Sequence, residues 1–175
     1  MTVLGIDPGV ATVGWGFVQY DGYRFSHPQY GAIITPPKIP LERRLEMIYD
    51  ELGKLIEELK PDCVSIEELF FSKNITTGIA VAHARGVIML ACQKAGIPCY
   101  EFKPPQVKQA VVGYGNAEKK QVMMMTKMLL NLKEIPRPDD AADGLALAIC
   151  CSHCMGMAQM KCKIQNPKST LENRR

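Results

Sequence analysis

Apolar and polar positions alternate in short runs over the first third of the chain, then settle into helical spacing. Val3–Asp7 is a brief apolar run that ends on Asp7-Pro8-Gly9, a turn signal. Val13–Tyr20 alternates with glycines and aromatics, so the two runs read as a hairpin. Tyr30–Thr35 is a third short strand, closed by Pro36-Pro37. Leu41, Leu45, Ile48, Leu52, Leu55, Ile56 and Leu59 then recur three and four apart, which predicts a helix over 41–59 that Pro61 stops. Cys63–Glu67 has the pattern of a buried strand, and Phe70–Asn74 reads as a loop.

The second half continues the alternation of strand and helix. Residues 75–95 form a helix with small residues at Ala80, Ala84 and Ala91. Pro98–Phe102 is a fifth strand, and Pro104–Val112 a short helix ended by Gly113-Tyr114-Gly115. A methionine-rich helix spans 117–131, and a last one runs from Asp139 to about Met157. Three sequential strands followed by strand–helix alternation give a five-stranded mixed sheet flanked by helices, an α/β architecture in the ribonuclease H-like order. The chain is expected to hold one domain, residues 1–158, and a basic, flexible C-terminal tail, 159–175.

Composition narrows the class. With 175 residues, 47% of them hydrophobic, the chain can bury a core and is not a disordered segment. No apolar stretch is long enough to span a bilayer, and the N-terminus lacks a signal-peptide pattern, so the chain reads as cytoplasmic with no membrane partner. In that compartment its seven cysteines need no partners. Cys150, Cys151, Cys154 and Cys162, with His153 among them, invite a zinc reading. The absence of a paired C-x-x-C frame favours a helix with buried thiols instead.

Charge adds a second hint. Segments 101–133 and 161–175 each carry a net +4, so with +3 overall the remainder stands at −5. A basic band on an acidic body suits a phosphate-backbone binder that also holds a cation, although an ordinary solvated helix face has the same look.

The candidate chemistry lies in four carboxylates. Asp7 closes the first strand, Glu67 closes the fourth, and Asp140 and Asp143 share one face at the start of the last helix. If the first and fourth strands are neighbours, their ends bring Asp7 and Glu67 together. Clustered hard oxygen donors select Mg²⁺, with Mn²⁺ as a substitute, over zinc. Two such ions about 4 Å apart suit phosphodiester hydrolysis. Each acid has a plainer reading as a turn starter, a helix cap or a surface residue. Alternation cannot choose between Glu67 and Glu68, because only one of two adjacent strand residues faces the site. No Ser, His or Cys arrangement forms a nucleophilic triad.

An ordered set of short motifs goes further. It comprises Gly5-Ile6-Asp7-Pro8-Gly9 with Gly14-Trp15-Gly16; Ile66-Glu67 through Phe70, then Lys73-Asn74; Ala84-Arg85-Gly86; Gln106-Val107-Lys108-Gln109; Val111-Val112-Gly113 through Gly115; Ala117-Glu118-Lys119; and Asp140-Ala141-Ala142-Asp143. Over residues 1 to about 155 this set resembles the RuvC family of Holliday-junction resolvases. The resemblance implies a homodimeric endodeoxyribonuclease that nicks four-way junction DNA in symmetric pairs, on strands of like polarity, in recombination and repair. It implies that Asp7, Glu67, Asp140 and Asp143 are the catalytic, Mg²⁺-binding carboxylates, with two ions per site. By the same resemblance Lys108 and Lys119 contact phosphate, Phe70 stacks on a base, the helix 75–95 makes the dimer, and RuvA and RuvB are partners. The Ala80, Ala84 and Ala91 stripe of that helix is equally able to pack on its own sheet.

Three rivals are weighed. A phosphotransferase of the actin–hexokinase type needs a second Asp-x-Gly turn and a second domain, for which 175 residues are too few. A non-catalytic DNA-binding module explains the lysines but not the four acids. Another ribonuclease H-like nuclease, acting on RNA–DNA hybrid, shares all the chemistry, since fold does not decide substrate.

Overall fold

A computed structural model describes residues 1–68 and 75–165, apart from the side chains of 75–77 and 157–165. The elements follow in the order β1 (Thr2–Asp7), β2 (Thr12–Tyr20), β3 (Phe25–Ile34), α1 (Leu41–Leu59), β4 (Cys63–Glu67), α2 (Ile75–Lys94), β5 (Cys99–Phe102), α3 (Pro104–Val112), α4 (Lys119–Leu129) and α5 (Asp139–Gln165). The five strands form one sheet in the order β3-β2-β1-β4-β5. The hairpin pairs β1–β2 and β2–β3 are antiparallel, while β1–β4 and β4–β5 are parallel. This is the mixed sheet of the ribonuclease H-like order, with the neighbouring β1 and β4 at its centre. Among the described residues no helix is long and apolar enough to cross a membrane.

Alternation along the central strands sorts their side chains between two cores. Leu4, Ile6, Val64 and Ile66 enter a core with Ile48, Leu52 and Ile56 of α1 and Ile88 of α2. Val3 and Cys63 point the other way, into a core with α3, α4 and α5. Both sheet faces are therefore covered, which explains why β4 is buried from Cys63 through Ile66. Leu4, Ile6, Ile48, Leu52, Ile66 and Ile88 are fully buried. Each contributes about 1.5–3 kcal/mol relative to exposure.

Two element bounds differ from the sequence reading, and one open alternative is decided. Strand β3 begins at Phe25, five residues before Tyr30, because an edge strand tolerates Pro28, which sits where the β2–β3 register shifts. Helix α5 continues to Gln165, past the expected end at Met157. In α2, Ala84 and Ala91 are buried in the α1-side core and Ala80 packs against it, so the small-residue stripe serves the chain's own packing. The stripe that α2 leaves exposed is Ile79, His83, Gly86 and Leu90.

The late cysteines pack as part of α5. Cys150 and Cys151 are buried, and the Cys151 Sγ lies 3.8 Å from the Cys63 Sγ on β4. His153 donates from Nδ1 to the Ala110 carbonyl at 3.2 Å and packs edge-on against Tyr20.

Candidate active site

The site follows from alternation carried to the strand ends. In β1, Val3, Gly5 and Asp7 share the face turned to α5; in β4, Cys63, Ser65 and Glu67 do the same. Strands β1 and β4 are parallel neighbours with Ile6 opposite Ile66, so the next residues, Asp7 and Glu67, leave the sheet side by side. The Ser65 hydroxyl donates to the Leu147 carbonyl at 2.9 Å and ties β4 to α5 just below Glu67. Glu68, of opposite parity, turns away and sits 4.0 Å from the Lys103 ammonium.

Helix α5 reaches the strand ends because glycines clear its path. Gly14 pairs with Asp7 across the β1–β2 ladder. A β-carbon on Gly14 would overlap the carbonyl oxygen of Asp140 and lie 2.6 Å from its Cβ. Gly144 is the counterpart on the helix: a β-carbon there would lie 2.7 Å from the Gly16 nitrogen. Backbone thus rests on backbone, and the first turn of α5 is set directly over Asp7. The sequence reading uses Gly14 and Gly16 for a strand and for the resemblance, not for this approach; their spacing of two in β2 is the signal that one strand face must stay bare.

A cleft of about 310 Å³ opens at these strand ends, lined by Asp7, Glu67, Lys108, Lys119 and Asp143. Pro104 and Val107 of α3, Val122 of α4, and Ala146 and Leu147 of α5 complete its walls. Five of the predicted site residues therefore meet in one place. Asp140 lies one turn earlier on α5, half-buried over Gly14, outside the lining but close enough for its charge to act on Asp7. Phe70 lies outside the described residues.

The electrostatics are those of carboxylates crowded out of water. Burial, then the charges of Asp143, Glu67 and Asp140, push Asp7 from the ordinary 3.8 up to about 7, against an opposing pull from Lys119. Burial and Asp143 also raise Glu67, with Lys119 and Lys108 working against the shift. Burial raises Asp143 too, although its Oδ2 accepts a 2.8 Å hydrogen bond from the Lys119 Nζ. Burial disfavours the charged Lys119, but its bond to Asp143 and the surrounding acids outweigh that and raise its pKa.

Such a set suits a divalent cation, whose charge would offset the repulsion and the burial that raise all three acids. The donors are hard carboxylate oxygens of the type that binds Mg²⁺. Among the described residues, however, no three Asp, Glu, His or Cys side chains are gathered closely enough to cage an ion. Asp143 is instead turned to Lys119. Loading a metal requires that the Lys119 bond give way or that the carboxylates draw inward.

Central parallel strands ending in acids, crossed by a helix that adds more acids beside lysines, define a ribonuclease H-like phosphodiester hydrolase. The comparisons agree and narrow the class. The family model for crossover junction endodeoxyribonuclease RuvC matches residues 3–151. The chain is 54% identical over 158 residues to the crossover junction endodeoxyribonuclease RuvC of Ruminiclostridium cellulolyticum, covering 89% of this chain and 95% of that one. It is 55% identical over 153 residues to the Alkaliphilus metalliredigens protein of the same name, covering 87% and 93%. The structure of Thermus thermophilus RuvC in complex with a Holliday junction substrate superposes with a TM-score of 0.83 at 35% identity, covering 90% of this chain and 96% of that one. The yeast mitochondrial Holliday junction resolvase, at 15% identity and a TM-score of 0.62, shares the fold. The chain belongs to the RuvC family of crossover junction endodeoxyribonucleases.

Proposed function

We propose that the protein resolves Holliday junctions by paired, symmetric nicks on strands of like polarity, acting as a homodimer with Mg²⁺ at each site. The observation that carries this reading is the convergence of Asp7, Glu67 and Asp143 with Lys108 and Lys119 in one cleft of a RuvC-family chain. Asp7, Glu67, Asp140 and Asp143 would hold one or two ions, Mg²⁺ or in its place Mn²⁺. When bound, such ions supply an activated water and stabilise the leaving oxygen.

The chain's own groups bring the phosphate to that position. Lys108 and Lys119 are compact point charges on the cleft wall, suited to phosphate oxygens. In the free protein Lys119 partly neutralises Asp143. A phosphate entering the cleft competes for the same ammonium and releases Asp143 for a metal. The apolar wall of Val107, Val122, Ala146 and Leu147 limits hydration around these charges and strengthens them.

Symmetric nicking needs two sites related by a two-fold axis. The exposed stripe of α2 supports a dimer through that helix: Ile79 is 50% and Leu90 54% exposed, and Gly86 between them lets a second helix approach closely. Phe70 is read as base-stacking, RuvA and RuvB as partners, and the cytoplasm as the compartment.

The reading is tested with a four-way DNA junction whose core can branch-migrate, in Mg²⁺, beside linear duplex and RNA–DNA hybrid. The expected products are paired symmetric nicks on the junction alone. Cleavage confined to the hybrid would keep the site and reassign the substrate. Binding without cleavage of any of the three would leave a DNA-binding module.

A further inference from the structure

Among the described residues, Lys103 is a lysine at the strand ends that the site does not absorb. It directly follows β5, whose Phe102 pairs with Glu67. The ladder runs one step further, where the Glu68 N–H donates to the Phe102 carbonyl at 2.9 Å. Lys103 is therefore fixed beside the end of β4, where Glu67 leaves the sheet. Its backbone is extended, at φ −74° and ψ 147°, and its N–H donates to Gln106 Oε1 at 2.8 Å, which anchors the residue independently of its side chain.

Alternation decides where the side chain goes. Phe102 and Glu67 face α5, so Lys103 and Glu68 emerge on the α1–α2 side of the strand ends. Lys108 and Lys119 lie on the opposite side, on the cleft wall made by α3 and α4. A strand lying across the strand ends therefore meets ammonium groups on both flanks. Lys103 is 57% exposed and Glu68 40%, and at 4.0 Å their contact is that of a weak, hydrated pair. A DNA phosphate, with more charge and more acceptor oxygens, competes readily for such a lysine.

We propose that Lys103 is a further phosphate-contacting residue on the far flank of the cleft, with Glu68 its internal competitor. The ammonium sits on Glu68 in the free protein and on the DNA backbone in the complex. This rests on the junction-binding reading above and adds a residue, and a competition, to it.

The test is junction binding by the full chain in a chelator, from 50 to 200 mM salt, for wild type, Lys103→Ala, Lys103→Arg, Glu68→Gln and the Lys103→Ala/Glu68→Gln double variant. One phosphate contact contributes about 0.9 to the slope of log affinity against log salt. Lys103→Ala should lower the slope by that amount, so its binding defect shrinks about 3.5-fold across the fourfold salt range. Lys103→Arg should keep the slope. Glu68→Gln should tighten binding about two- to fivefold, and not at all when Lys103 is Ala. A wild-type slope in Lys103→Ala overturns the contact. A tightening by Glu68→Gln that persists in the double variant overturns the competition, since Glu68 would then act on DNA directly. Wild type that binds junction no better than duplex overturns the junction reading instead, and the slope of Lys103→Ala on duplex still decides the contact.

Discussion

Lys119 donates a 2.8 Å hydrogen bond from Nζ to Oδ2 of Asp143, joining the first residue of α4 to the first turns of α5 across the cleft. The bond places a cation where carboxylates alone would repel. It also engages an oxygen that a metal would need. Lys119→Met should slow junction cleavage by about 10²-fold, as loss of one positioned charge does elsewhere. Lys119→Arg should recover part of the rate, because the charge returns with a different shape. Single-turnover cleavage measures both, and a Met variant as fast as wild type would place Lys119 outside the reaction.

The raised Asp7 carries a cost in stability with a definite pH window. Its pKa is about 7 in the folded chain against an ordinary 3.8, so between those values the folded state binds more protons than the unfolded. Stability contributed by Asp7 is complete below about pH 4, falls as pH rises to about 7, and is level above; the loss is at most about 4 kcal/mol. In a chelator, Asp7→Asn should therefore unfold later than wild type at pH 8, with the gap closing toward pH 4. Urea unfolding at the two pH values checks this. An Asn variant less stable than wild type at pH 8 would contradict the crowding of charge around Asp7.

Gly14 holds its place by close approach. An alanine there must displace Asp140 and the start of α5, since the new carbon overlaps the helix backbone. Gly14→Ala should lose about 1–3 kcal/mol of stability, typical of overpacking, and should lose cleavage even where it remains folded. Denaturant midpoints and cleavage of the same preparation separate the two effects. Unimpaired cleavage would mean that α5 need not sit where it does.

Glu67 and Glu68 differ by parity alone. Glu67→Gln should abolish nicking, whereas Glu68→Gln should not reduce its rate. The reverse ranking would place the reacting phosphate on the α1–α2 side of the strand ends.

Much of this was legible beforehand, for identifiable reasons. Strong periodicity located α1, and the Asp-Pro-Gly turn placed Asp7 at a strand end. The three-residue spacing of Asp140 and Asp143 puts both on one face of α5, although only Asp143 reaches the cleft lining. The choice of Glu67 over Glu68 came from resemblance, because β4 is buried on both faces and its composition hides its alternation. In the structure Ser65 bonds to α5, and Glu67 shares its parity. The α2 stripe was ambiguous because its mean apolarity is high all round; alanines fill the core while Ile79 and Leu90 stay out. The Lys103–Glu68 contact depends on the β4–β5 register, which a lone sequence does not carry.

The most direct measurement sets junction cleavage beside junction binding for Asp7→Asn, Glu67→Gln, Asp140→Asn and Asp143→Asn in Mg²⁺. If the four acids hold the metal, each variant should lose nicking while binding the junction as tightly as wild type or more so, since one repelling charge is gone. Cleavage that survives in Asp7→Asn and Asp143→Asn, or binding that disappears together with cleavage, would contradict the assignment of these carboxylates to the reaction.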